Sequence, residues 1–212
     1  MEKVFYTTIQ ERSTHEIPKI KWSRFIGNIF PIKTKEEIEK ALQEIKKAYP
    51  DASHHCYAYK FGVSLQKDIF NNTLCTTTYN KISDDGEPGN TAGKPIMNAL
   101  EKSWIQDCLI IVTRYFWWTL LWVWWLIQAY GECAKKTIET AKKKEEEIIT
   151  EITFSYTFEQ TQQIRNVINK YQGKVKNETY EKNISTTITI NSWYQEAFRD
   201  ELKDCSKWTI HI

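Results

Sequence analysis

The sequence predicts an α+β chain built as two domains, 1–138 and 144–212. Two observations carry the division. A length of 212 residues admits one large or two small domains, and Lys142–Lys144 followed by Glu145–Glu147 make a polar seam. Beyond the seam the hydrophobic periods read β-α-β-β-α-β, the split βαβ order of a ferredoxin-like domain.

Ahead of the seam, residues 3–9 and 22–30 alternate well enough for two strands. Thr34-Lys35-Glu36-Glu37 is a capping box, in which a side-chain acceptor is followed three residues later by Glu. Ile38, Leu42, Ile45 and Tyr49 then fall on one face of a helix over 35–49, which Pro50 stops. His55–Phe61 and Thr73–Tyr79 are β-rich and suited to pair. A short helix begins near Pro95 and runs to about Ser103. Cys108–Thr113, C-L-I-I-V-T, is a continuous apolar run, as expected of a strand covered on both faces. A helix is expected from Thr119 to Lys144.

After the seam, Ile148–Thr157 reads as a strand. Thr157-Phe158-Glu159-Gln160 is a second capping box, and Ile164, Val167, Ile168 and Tyr171 give an i, i+3, i+4, i+7 stripe. Gly173 is placed to cap that helix. Lys174–Tyr180 and Ile184–Ile190 are strands; Ile184, Ile188 and Ile190 share one face against Ser185, Thr187 and Thr189. Ser192-Trp193-Tyr194-Gln195, a third capping box, opens a helix to about Asp204, and Lys207–Ile212 closes as a strand.

The stretch of most chemical interest is Asp84–Pro95, D-D-G-E-P-G-N-T-A-G-K-P. Three glycines, two prolines and three acids in 12 residues make a turn-rich loop. It ends where a helix starts, and free backbone N–H groups there suit an anion such as phosphate. The loop does not match G-x-x-x-x-G-K-[ST], so a plain connector is the competing reading.

This loop, with His54-His55-Cys56-Tyr57-Ala58-Tyr59 before it and Arg114-Tyr115-Phe116 after it, resembles the IMPACT/YigZ family. Ser23-Arg24-Phe25-Ile26 and Leu126-Ile127-Gln128-Ala129-Tyr130-Gly131 extend the resemblance over residues 1–138. The chain departs from it after Tyr115-Phe116. Where the family carries a glycine-rich turn resembling F-G-G-T-x-L-G-x-G-G-L, Trp117, Trp118, Trp122, Trp124 and Trp125 stand at the five glycine positions. The resemblance implies an N-terminal α/β sandwich similar to the second domain of a small-subunit ribosomal protein. It also implies a C-terminal domain similar to one in elongation factor G. These are fold analogies and do not establish function. Eukaryotic members resemble regulators of the kinase pathway that controls translation initiation. This chain is read as having no additional N-terminal partner-binding domain like theirs, so their partners do not carry over.

Composition excludes some classes. A net charge of +2 gives no global basic field. Five cysteines, odd in number and without C-x-x-C, favour reduced thiols in a cytoplasmic protein over a disulfide framework or a zinc site. The N-terminus reads as a strand, not a signal peptide. Thirteen uncharged residues separate Arg114 from Gln128, while a membrane-spanning helix needs about 20. No span is expected, and Trp favours the interface over the bilayer centre.

Asp84, Asp85 and Glu87 suit metal binding or acid–base work, against a solvated acidic turn. His54, His55 and Cys56 alternate across a strand and cannot converge on one ion; nothing supplies an oxyanion hole for Cys56 with His54. No metal or cofactor is therefore expected. The candidate binding site comprises Ser23, Arg24, Asp84, Asp85, Gly86, Glu87, Thr91, Gly93, Lys94, Arg114 and Tyr115, lining one basic-edged cleft beside the loop. The Trp run has no interleaved cation, which argues against a base-stacking platform. It reads as an all-round apolar helix start. Glycine serves positive φ or close approach, and Trp supplies neither. Exposed, displaced rings or a destabilised first domain, with any groove there blocked, are the expected results.

Three functions from different classes follow. The first is a non-enzymatic, translation-associated protein binding RNA, the ribosome or a translation regulator. The second is an enzyme or sensor for a phosphorylated or nucleotide ligand at the loop. The third is a membrane-surface protein driven by the Trp run. RNA retention, nucleotide turnover and vesicle flotation separate them.

Overall fold

The apolar run C-L-I-I-V-T lies at the centre of a five-stranded sheet. In the computed structural model, residues 4–67, 73–116 and 121–206 are described. In chain order the elements are β1 (Phe5–Ile9), β2 (Ser13–Glu16), β3 (Arg24–Pro31), α1 (Lys35–Ala48), β4 (His54–Lys67), β5 (Thr73–Ser83) and α2 (Gly93–Ser103). There follow β6 (Cys108–Tyr115), α3 (Val123–Thr140), β7 (Lys143–Glu147), β8 (Ile149–Tyr156), α4 (Thr161–Lys170), β9 (Lys174–Tyr180), β10 (Ile184–Asn191) and α5 (Gln195–Ser206). The architecture is mixed α/β. Two compact units divide it: Tyr6–Val63 with Thr76–Glu146, and Glu147–Ile212 with Met1–Phe5 and Ser64–Cys75.

In the first unit the sheet order is β2-β3-β6-β4-β5, with β3 and β4 both antiparallel to β6. Every residue from Cys108 to Val112 is fully buried. Cys108, Ile110 and Val112 join a core with Ile96, Leu100, Tyr130 and Cys133 of α2 and α3. Leu109 and Ile111 face the other way, into a core with Ile38, Ala41 and Ile45 of α1. Strand period 2 thus feeds two helix layers from one apolar run. The expected capping box of α1 forms: Thr34 Oγ1 accepts from Glu37 N (3.2 Å) and Glu37 Oε2 from Thr34 N (3.2 Å). Such a cap contributes about 1 kcal/mol.

Three expectations in this unit need correction. Ser13–Glu16 falls outside the strands expected from the sequence, yet it pairs with β3. The helix expected to Lys144 stops at Thr140, with Ala141 extended. The Lys/Glu seam, for which no strand was expected, forms β7, paired with β1. Cross-strand pairing prevails over the poor β-propensity of Lys and Glu. There Glu146 accepts from Tyr6 (3.1 Å) and Lys33 (2.5 Å). Burial opposes its ionisation, but the Lys144 and Lys33 ammonium groups hold its carboxyl down at about 2. The units divide at Glu146/Glu147.

The second unit carries a three-stranded antiparallel sheet in the order β8-β10-β9. Ile184, Ile188 and Ile190 face a core with Ile152, Phe154, Ile164, Val167, Ile168, Phe198 and Leu202. Two caps differ from expectation. The left-handed residue ending α4 is Gln172 (φ 54), not Gly173. Before α5 the capping side chain is Asn191, which accepts from Trp193 N at 3.1 Å, one residue ahead of the expected Ser192. The strand expected at 207–212 lies outside the described residues.

Candidate functional site

The 84–95 loop is organised around one carboxylate. Asp84 Oδ1 accepts from Ala92 N (3.0 Å) and Gly93 N (2.9 Å), and Oδ2 accepts from Asn90 N (2.9 Å). The anion expected at the start of α2 is therefore supplied by the chain itself, which satisfies donors that helix geometry leaves orphaned. Asp85, at φ 42, turns its carboxylate to His55 N (2.6 Å). Gly86 follows at φ +88, where a side chain would be strained. Gly93 is required for a different reason. A Cβ there would stand 2.9 Å from the Ser83 backbone nitrogen. Thr91 closes the turn by donating to the Pro88 carbonyl from its hydroxyl (2.6 Å) and its backbone N–H (3.1 Å).

Beneath the loop lies a buried polar cluster. Register places Arg114 of β6 opposite Phe25 of β3 and His54 of β4. The Arg114 side chain is 2% exposed. Its Nη1 donates to Glu87 Oε1 (2.6 Å) and its Nη2 to Ser23 Oγ (3.2 Å). The guanidinium also lies 4.6 Å from the Phe116 ring centroid and 5.7 Å from that of Phe25. Tyr130 of α3 donates to the same Glu87 oxygen (2.7 Å). Cys56 Sγ donates to the Asp84 carbonyl (2.9 Å) and lies 3.3 Å from the Tyr130 hydroxyl. Burial pushes both the Cys56 thiol and the Tyr130 phenol well above their ordinary ranges. Cys56 is thus held as a thiol, and the thiolate a nucleophile needs is disfavoured. His54 Nδ1 lies 2.8 Å from the Asp85 carbonyl, which can only accept, so that nitrogen carries the proton.

The expected single basic-edged cleft is not assembled. Ser23 and Arg114 are buried together, with the arginine's charge paired to Glu87. Arg24 donates two bonds to Glu16 (2.7 and 2.8 Å) and lies over the Tyr115 ring at 5.7 Å. Lys94 lines a separate depression of about 550 Å³ with Lys60, Thr76, Thr77, Asn80, Lys81, Ile82, Met97 and Glu101. Sequence reading missed Lys60 and Lys81, because their join to Lys94 depends on β4, β5 and α2 packing side by side. It also missed Tyr130 as a partner of Glu87, although that residue sits in the recognisable I-Q-A-Y-G string. Among the described residues no group of three His, Cys, Asp or Glu could hold a metal ion.

Of the altered turn, Trp117 and Trp118 lie outside the described residues. Trp122 precedes α3 with ordinary extended angles (φ −62, ψ 148), and Trp124 and Trp125 are in its first turn. None of these three has a positive φ, so the left-handed backbone expected of a glycine turn is not found at them. Nor is the helix start apolar all round within a core. Leu121 and Leu126 are buried, whereas Trp122 is 80% and Trp124 59% exposed, beside exposed Val123 and Ile127. Trp125 is partly buried, with Lys21 Nζ 4.6 Å from a ring centroid. No helix among the described residues is long and apolar enough to cross a membrane.

A five-stranded sheet helical on both faces, with a loop locked by its own aspartate over an Arg–Glu–Tyr cluster, defines the class of domain. The Impact N-terminal domain matches residues 21–138. The chain is also 30% identical to the IMPACT family member YvyE of Bacillus subtilis, covering 92% of this chain and 84% of that protein. It is 32% identical to an IMPACT family member of Haemophilus influenzae (92% and 89% covered) and 26% identical to YigZ of Escherichia coli (92% and 91%). A crystal structure of a protein described as hypothetical superposes with a TM-score of 0.70 at 24% identity, covering 100% of this chain and 97% of that one. This chain belongs to the IMPACT family.

Proposed function

We propose that this chain is a non-enzymatic, cytoplasmic, translation-associated protein that binds RNA, the ribosome or a translation factor beside the 84–95 loop. Membership of the family supports a role of its general kind. The observation that carries the reading is the depression where Lys94, Lys60 and Lys81 meet the hydroxyls of Thr76 and Thr77 and the amide of Asn80. Lysine cations beside neutral hydroxyl and amide groups, with Glu101 the acid in the lining, suit phosphate and sugar oxygens. The start of α2 is less suited to a free phosphate, since Asp84 already occupies Ala92 N and Gly93 N. Lys94→Glu is expected to weaken RNA or ribosome retention. It should also flatten the log–log salt dependence, by about 0.7–0.9 for each phosphate that is no longer neutralised. Unchanged affinity and slope would refute this face. Saturable nucleotide binding with turnover would favour the enzyme reading instead.

The same proposal covers the domains. The order β8-α4-β9-β10-α5 with sheet order β8-β10-β9 supports a ferredoxin-like second domain. The first is read as ribosomal-protein-like. Residues 147–212 produced alone should fold; a fragment without cooperative melting would count against independent domains.

A further inference from the structure

Two tryptophans stand where the backbone asks for glycine. Ile20 and Ser23 exchange both backbone hydrogen bonds (3.0 and 2.9 Å) across a two-residue turn, with Lys21 at φ 44 and Trp22 at φ 68. A turn with positive φ at both central residues strongly favours glycine at the second. Trp104 follows α2 in the left-handed conformation (φ 58, ψ 9), the position at which glycine ends helices. Bulky residues there are outliers, and neither ring gains burial in return: Trp22 is 77% and Trp104 80% exposed. Trp122 and Trp124, in the stretch where Trp stands at five family glycine positions, are likewise directed to solvent. Composition leans the same way. The chain has 9 Trp and only 7 Gly, whereas about 7% glycine is ordinary, roughly twice what is present.

We infer that the working protein carries glycine at positions 22, 104, 117, 118, 122, 124 and 125. The codon at each is UGA, one base from the glycine codon GGA and decoded as glycine in the cell that makes this protein. Trp193, which has no positive φ and lies outside the stretch of family glycine positions, is the internal control and remains tryptophan. The test is the gene read together with peptide mass mapping of the protein purified from its own cells. The expected result is UGA at the seven codons, UGG at 193, and peptides lighter at each of the seven sites by the difference between an indole methylene and a hydrogen. UGG at codons 22 and 104, or tryptophan in those peptides, would overturn the inference. A second readout is independent of the source: Trp22→Gly with Trp104→Gly should raise the melting temperature by about 2–8 °C. A lower melting temperature than the Trp-bearing chain would count equally against it.

Discussion

The 84–95 loop and the 121–127 segment, where α3 begins, use their side chains in opposite ways. In the loop all three acids have internal partners. Asp84 takes three backbone donors, Asp85 one, and Glu87 takes Arg114 and Tyr130. In the other segment large rings at Trp122 and Trp124 have little to cover them. The polar loop is therefore the internally tied stretch, while the aromatic one anchors through Leu121 and Leu126 and leaves the rings of Trp122 and Trp124 to solvent. Composition alone suggests the reverse.

Removing a partner from the buried ion pair should break the comparison most sharply. Arg114→Ala leaves Glu87 buried without its cation, and such losses cost about 3–5 kcal/mol. Denaturant unfolding of the first unit measures it; a change under about 1 kcal/mol would mean the cluster is solvated. Asp84→Ala comes next. It orphans three N–H groups and should destabilise by roughly 2–4 kcal/mol, less than the sum of about 1.5–3 kcal/mol per bond to a charged acceptor, because the Asn90 bond is exposed and the other two only partly buried, so water replaces part of the loss. Asp84→Asn, which keeps one acceptor, should recover part of this.

How much of this was legible follows from the same residues. C-L-I-I-V-T and the Thr34 box were readable because their signals are local: one run, one four-residue motif. The acids of the loop were found as a group, but their roles were not. Asp84 reaches Ala92 and Gly93 only once the chain has turned through Gly86, and Glu87 meets Arg114 across 27 residues. The β7 strand was hidden because Lys and Glu read as a polar seam until β1 supplies the partner. Lys60, Lys81 and Lys94 sit on three different elements, so no spacing rule joins them.

A pH titration sharpens the contrast at smaller amplitude. Burial holds His55, beside the loop, below its ordinary value of 6.5, against the opposing pull of Asp85. Its folded state resists protonation that the unfolded chain accepts. The stability it contributes is therefore complete above about pH 6.5 and is lost as pH falls below that value. His55→Asn should flatten the slope there, while substitutions at Trp122 or Trp124 should leave it unchanged. A slope that survives His55→Asn assigns it to another group.

The smallest expected effect on stability is in the aromatic segment. Trp124→Gln should change unfolding free energy by no more than about 0.5 kcal/mol, as for exposed sites generally. Self-association measured by light scattering should fall, because an exposed apolar patch shrinks. A loss above about 2 kcal/mol would show that the ring packs after all.

Asp84 also changes how a ligand at this loop must be imagined. Its carboxylate is a competitor tethered to the site it occupies, hydrogen-bonded to both Ala92 and Gly93. Short tethers correspond to effective concentrations of order millimolar. A free anion would have to displace a rival that never diffuses away. Selection against stray phosphate is thus written into the fold.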